Sequence, residues 1–156
     1  MITEPSLRRA INEDAALIAP LYADFFAEDG IETPDREIEE NLAAMLADPR
    51  AAVFVAEASG RPVGLVSATT SIGVEFGLSA EIEDLFMLPA YRGHGIARQL
   101  FEQAMAWCMA EGAREIVLVI TPLAEQAQGL TQLYEKFGFR RSGRIMMYRS
   151  GSGAAR

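Results

Sequence analysis

The chain has 156 residues, half of them hydrophobic, enough for one packed core and too few for two ordinary domains. Its 22 acidic against 14 basic residues leave a net charge of −8, which disfavours acidic partners and excludes the clustered Lys and Arg of a nucleic-acid-binding surface. There is no signal-peptide pattern and no apolar run near the ~20 residues that span a bilayer, and the lone Cys108 excludes an internal disulfide and a Cys/His zinc cluster; a cytoplasmic protein with no metal and no membrane partner is expected.

Residues 7–11 read as a short first strand, and Asn12 reads as the N-cap of a helix with Glu13 and Asp14 in its first turn. That helix should run to about Ala27 on an apolar face of Leu17, Ile18, Leu21, Tyr22 and Phe25, kinked or delayed by Pro20 and stopped by Gly30. A second helix is expected from Thr33 as N-cap and Pro34 as first helical residue, with Ile38, Leu42, Met45 and Leu46 on one face and Pro49 as its limit. The acidic run between Glu28 and Glu40 reads as a solvated face, with electrostatic steering of a cation as the sharper alternative.

Residues 52–57 and 63–68 are β-type runs around the turn Ser59-Gly60-Arg61-Pro62, and 69–78 reads as strand end plus loop. The apolar run Leu85-Phe86-Met87-Leu88 ends at Pro89, the turn Arg92-Gly93-His94-Gly95 follows, and Ile96, Leu100, Ala104 and Trp107 then recur at helical spacing up to Gly112. Two glycines beside a helix start bring backbone N–H groups and the positive end of the helix dipole close to an anion, so this strand–turn–helix is a cradle for a phosphate or pyrophosphate. Residues 116–120 form a β-branched run that predicts a central parallel strand covered on both faces. A helix over 121–137 with Gly129 as a weak point, a last strand over 139–148 and a flexible tail over 150–156 complete the reading, with 1–149 as one domain.

The turn has neither Gly-x-Gly-x-x-Gly spacing nor the Lys-Ser or Lys-Thr of a Walker loop. Arg92, Gly95 and Ala97 instead give Arg-x-x-Gly-x-Ala, which, with Leu-Pro-Ala-Tyr before it and Leu-Tyr-Glu-Lys-Phe-Gly-Phe ending at Phe139, resembles the acyl-CoA loop of the GNAT N-acetyltransferase superfamily. The resemblance is dense from about Val53 to Phe139. It implies an α/β (α+β) fold, a mixed central sheet flanked by helices in which two parallel strands splay to admit acetyl-CoA as co-substrate. It also implies that Met87 and Leu88 offer backbone groups to pantetheine while Arg92, Gly93, Gly95, Ile96, Ala97 and Arg98 surround the pyrophosphate. His94, clamped beside that pyrophosphate, is poorly placed to be a base.

Acetyl transfer to an amine needs a group that takes the amine proton and gains from a donor to the departing thiolate. Tyr134 matches the family tyrosine that lies near the coenzyme sulfur, and a phenol stays protonated at neutral pH yet is acidic enough to protonate a thiolate. Strand alternation puts Glu81 and Glu83 on one face and Asp84 on the other, so Glu83 is the preferred base and Glu81 the second, in a Glu-Asp-Leu-Phe phrase similar to that of polyamine-type acetyltransferases. One departure is Ala127, flanked by Gln126 and Gln128, where many relatives carry an asparagine that contacts the coenzyme. Tyr22, Phe26, Asp29 and Glu75 are candidates for the acceptor pocket. The expected activity is acetyl transfer to a small cationic amine in a ternary complex, compatible with a homodimer; the alternatives are a protein lysine or N-terminal acetyltransferase and an acyl-CoA-binding module without turnover.

Overall fold

The computed structural model describes residues 4–151, so residues 152–156 of the expected tail lie outside the described part. Two compact units make up the chain, one through Val119 and a second from Ile120 onward. The first holds β1 (Ser6–Arg9), a 3-10 turn (Asn12–Asp14), α1 (Ala15–Asp29), α2 (Asp35–Ala47), β2 (Ala51–Ala58), β3 (Arg61–Gly73), β4 (Gly77–Met87), a second 3-10 turn (Pro89–Tyr91), α3 (Ile96–Ala110) and β5 (Glu115–Leu118). The second holds α4 (Pro122–Gln128) and α5 (Leu130–Glu135).

The strands form a five-stranded sheet in the order β1-β2-β3-β4-β5, antiparallel except for the parallel β4–β5 pair. Val53 and Val55 of β2, Leu65 of β3 and Phe86 of β4 face α1 and α2, where they meet Ile18, Leu21, Tyr22, Phe25, Ile38 and Leu42 in one buried cluster. The opposite face is covered by α3, whose buried Leu100, Phe101, Ala104, Trp107 and Cys108 keep the helical spacing of the sequence. The expected mixed sheet flanked by helices is therefore present.

Several boundaries differ from expectation for local reasons. Asn12 is not a helix cap: the Asp14 carboxylate accepts the Ile11 amide at 2.8 Å and binds Arg8, which closes a 3-10 turn before α1 begins. Pro34, with extended backbone, caps α2 in place of Thr33. The strand end expected within 69–78 runs as far as Gly73 and the loop shrinks to residues 74–76 before β4 starts at Gly77, so the segment is the outer part of a long hairpin, with Thr70 facing Ala80, Ser71 facing Ser79 and Ile72 facing Leu78. Backbone pairing and the Ser71–Ser79 hydroxyl contact of 3.2 Å hold this arm; Ile72 and Val74 are exposed, so no burial pattern marks it in the sequence.

β5 is the end of the ladder rather than a central strand, with Val117 and Val119 both about half exposed, so its β-branched run is not covered on both faces. The helix predicted over 121–137 is broken by Gly129 at φ 60° into α4 and α5, with Thr121 capping the first through an Ala124 amide bond of 3.2 Å. Residues 139–148 form no strand, so the last strand read from the sequence is not present.

Gly64 on β3 stands opposite Met87 on β4, and a Cβ there would overlap the Met87 Sδ and press on Leu100 of α3. Gly64→Ala is expected to cost about 1–3 kcal/mol in urea unfolding by overpacking this contact. The double variant Gly64→Ala/Met87→Ala should lose clearly less than the sum of the two singles.

Candidate active site

β4 pairs with β5 from Ser79↔Glu115 to Ile82↔Leu118, and the pairing then stops while β4 continues to Met87. β5 ends at Leu118, so from Glu83 onward the β5-side edge of β4 has no ladder partner among the described residues. On its other edge β4 carries a register shift: Ser67 faces Asp84 and Ala68 faces Ile82, leaving Glu83 as an extra residue in a β-bulge.

The bulge corrects the expected division of carboxylates between two faces. An extra residue reverses the alternation beyond it, so Glu81, opposite Thr69, lies on the same side as Asp84, opposite Ser67. Glu83 joins them, accepting a hydrogen bond from Thr69 Oγ1 at 2.6 Å. Asp84 is half-buried as a residue, but its carboxylate accepts from Ser67 Oγ at 2.5 Å and Tyr22 Oη at 3.2 Å, both on buried residues. Burial pushes the Asp84 carboxyl above its ordinary value against the pull of the Ser67 hydrogen bond, and the charge on Glu83 pushes it further. Burial also raises Glu81, with Glu83 and Asp84 adding to it. The Tyr22 phenol is driven well up, by burial first and then by Asp84. A protonated amine brought to this side would meet clustered negative charge, and Glu81 has the raised proton affinity of a base.

Beyond Met87 the chain turns through Pro89–Tyr91 into the glycine loop. Gly93 and Gly95 both have φ 78°, and a Cβ on either would meet nothing within 4 Å, so glycine is needed there for conformation and not for space. Gly95 caps α3 without a side-chain bond, and the Gln99 amide to the Gly95 carbonyl, 3.1 Å, is the helix's first turn closing. The amides of Gly95, Ile96 and Ala97 thus precede the intrahelical ladder, beside exposed Gly93 and His94. An anion fits this end.

The other candidates have the following surroundings. The Arg92 guanidinium donates through Nε to the Met87 carbonyl at 2.9 Å and through Nη2 to both Glu28 oxygens at 2.9 and 2.7 Å, and lies 5.5 Å from the Phe86 ring centroid. Arg98 pairs with Glu102 one turn on, at 2.9 Å. The Leu88 amide donates to the Val63 carbonyl at 2.8 Å, and the Leu88 carbonyl accepts from the Tyr91 amide at 2.9 Å. Glu75 is exposed at the hairpin tip, and Phe26 packs edge-on against Tyr22. In the second unit, Tyr134 is buried in α5 with its ring edge toward Phe139 at 6.0 Å, and burial raises its phenol above the ordinary value. Sequence reading missed Ser67 and Thr69, whose alternating hydroxyls on one strand were the available signal, and read Glu28 only as part of the acidic run, not as a partner of Arg92.

The sequence profile of the Acetyltransferase (GNAT) family matches residues 16–139. The chain belongs to this family. It is an acetyl-CoA-dependent N-acetyltransferase. Over 102 residues it is 28% identical to an aminoglycoside N(6')-acetyltransferase type 1 of Salmonella typhimurium, covering 63% of this chain and 68% of that protein. An aminoglycoside N-acetyltransferase solved with CoA shares the fold at TM-score 0.78 and 21% identity, over 95% of each chain. A ribosomal-protein-alanine N-acetyltransferase from Brucella melitensis shares it at TM-score 0.74 and 21% identity, over 94% of this chain and 99% of that one. No helix among the described residues of this acetyltransferase is long and apolar enough to cross a membrane.

Because its folded-state value is raised, the Asp84 carboxyl favours folding most when protonated. Its contribution is lost as pH climbs from the unfolded value, about 4, through the raised one. Asp84→Asn should therefore gain stability relative to the parent as pH rises through that window. Urea unfolding of both proteins at a series of pH values measures the difference, which should grow with pH and then level off.

Proposed function

We propose that this acetyltransferase moves the acetyl group of acetyl-CoA to a primary amine of a small cationic molecule, by direct attack in a ternary complex. The observation that supports it most is the gathering of Glu81, Glu83 and Asp84 on one side of β4 by the bulge. A cationic acceptor is favoured there, while an acceptor with its own carboxylate would be repelled. The likeness to aminoglycoside acetyltransferases agrees with this substrate class.

In the proposed reaction a carboxylate of the Glu81/Glu83 pair takes a proton from the ammonium. Glu83 is exposed and reachable by an acceptor, and Glu81 carries the raised proton affinity. The neutral nitrogen then attacks the thioester carbonyl, the N–C bond forms, the C–S bond breaks, Tyr134 protonates the departing thiolate, and the second proton shed by the nitrogen restores the Tyr134 phenol and leaves the neutral amide. Met87 and Leu88 flank pantetheine, and Gly93, Gly95, Ile96, Ala97 and Arg98 hold the pyrophosphate from the loop and the α3 N-terminus. Residues 1–149 act as one catalytic domain.

The likeness to a ribosomal-protein-alanine N-acetyltransferase favours a second reading, in which the acceptor amine is a protein N-terminus. Thiol release measured with polyamines, aminoglycosides, amino acids and peptides separates the two. Polyamines or aminoglycosides should show the highest kcat/KM, and Glu83→Gln should erase much of their advantage; peptide N-termini as the best acceptors would reverse the order of the readings.

Tyr134→Phe is expected to lower kcat by roughly 10²–10⁴-fold, the usual worth of a general acid, with the CoA dissociation constant nearly unchanged. Single-turnover kinetics and calorimetric CoA binding check the two halves of this expectation. Full turnover with chemistry rate-limiting would return Tyr134 to a packing role.

A further inference from the structure

Three residues of α1 at three-residue spacing, Tyr22, Phe25 and Glu28, meet successive positions along the β4 end and the loop beyond it. Tyr22 donates to Asp84 at 3.2 Å, Phe25 stacks on Phe86 at 5.3 Å between centroids, and Glu28 binds Arg92 through both carboxylate oxygens. Spacing of i, i+3 and i+6 keeps all three on one helix face, so these contacts form a single seam that runs from the carboxylate cluster to the glycine loop.

The outermost contact differs from the other two. Tyr22 and Phe25 are buried and hold the core, whereas Glu28 and Arg92 are exposed, and an exposed ion pair adds little to stability. Its geometry is nonetheless fully specified. Arg92 uses its Nη2 on both oxygens of Glu28, its Nε on the Met87 carbonyl and its flat face on Phe86, so three elements hold one guanidinium. Arg92 is also the residue from which the chain enters Gly93 and Gly95, so the orientation of the free amides at the α3 start follows from where Arg92 is held.

We propose that Glu28 is a positioning residue for acetyl-CoA: through its bidentate bond it holds Arg92 against the β4 end, and so fixes the glycine loop in the geometry that receives the pyrophosphate. Arg92 then acts as a strut between α1 and the loop, not as a charge on the phosphate. The proposal rests on the reading of the loop as the coenzyme site. It also means that α1, which carries the acceptor-side Tyr22, is mechanically joined to the coenzyme loop by a contact that can be removed without disturbing the core.

The test is calorimetric CoA binding to the parent, Glu28→Gln, Arg92→Gln and the double variant, with steady-state kinetics on the same proteins. Glu28→Gln should weaken CoA roughly 3- to 10-fold and raise the KM for acetyl-CoA in step, with kcat changed less than about twofold. The double variant should bind CoA no worse than Arg92→Gln alone, because Glu28 acts through Arg92. Unchanged or tighter CoA binding by Glu28→Gln would overturn the proposal, since a carboxylate that merely competes with the pyrophosphate for Arg92 gives tighter binding. Additive losses in the double variant would overturn it too. A parent protein that binds no CoA would overturn the coenzyme-site reading itself, whereas the expected CoA pattern without turnover of any amine would support the strut and remove only the amine-transfer reading.

Discussion

One extra residue in a strand decides which carboxylates of β4 stand together. Side chains of a strand alternate strictly, so the bulge at Glu83 turns the inner half of β4 over relative to its outer half and brings Glu81 and Asp84 to the same side. Without it, Asp84 would lose Ser67 and Tyr22, and Glu81 would lose Asp84, which adds to the raised proton affinity that burial and Glu83 give it. Burying a carboxylate is costly, and each hydrogen bond to it returns about 1.5–3 kcal/mol. The bulge is therefore tolerable only because β3 offers hydroxyls at Ser67 and Thr69 and α1 offers a phenol at the matching height.

The same strand also needs a free edge. Pairing with β5 ends at Ile82, one residue before the bulge, so β4 changes there from an interior strand into one open on its β5 side. An open edge leaves backbone N–H and C=O groups of β4 without ladder partners from Glu83 onward among the described residues. The carboxylate cluster and the open edge thus share one short stretch, Glu81 to Met87, whose two halves are held differently: the carboxylate end by hydroxyls, the other by Phe86 stacked on Phe25 and Met87 packed against Gly64 and Leu100.

α1 gives this stretch its backing. Its buried face is ordinary core packing, but the polar contacts at positions 22 and 28 bind it to the carboxylate cluster and to the glycine loop at once. The loop itself relies on backbone conformation, since Gly93 and Gly95 sit at positive φ in open space.

Much of this was legible in the sequence. The glycine loop, α3, the apolar faces of α1 and α2 and the sheet strands follow from local rules, because positive φ, helical spacing and β-branched runs are properties of neighbouring residues. The sequence by itself also determined the candidate residues, Glu81, Glu83 and the loop among them, and the family to which the chain belongs. It could not determine their faces. Alternation predicted Asp84 apart from Glu81, and only the pairing of β4 with β3, seventeen residues apart at Ser67 and Asp84, decided otherwise. The hairpin beyond Thr69, the edge position of β5 and the missing strand over 139–148 were hidden for the same reason, since whether a strand exists, and which side it buries, depends on the partner it finds. The hold of Glu28 on Arg92 spans sixty-four positions, and nothing local to either residue marks it; proximity created by the fold was required before two exposed charges became one strut.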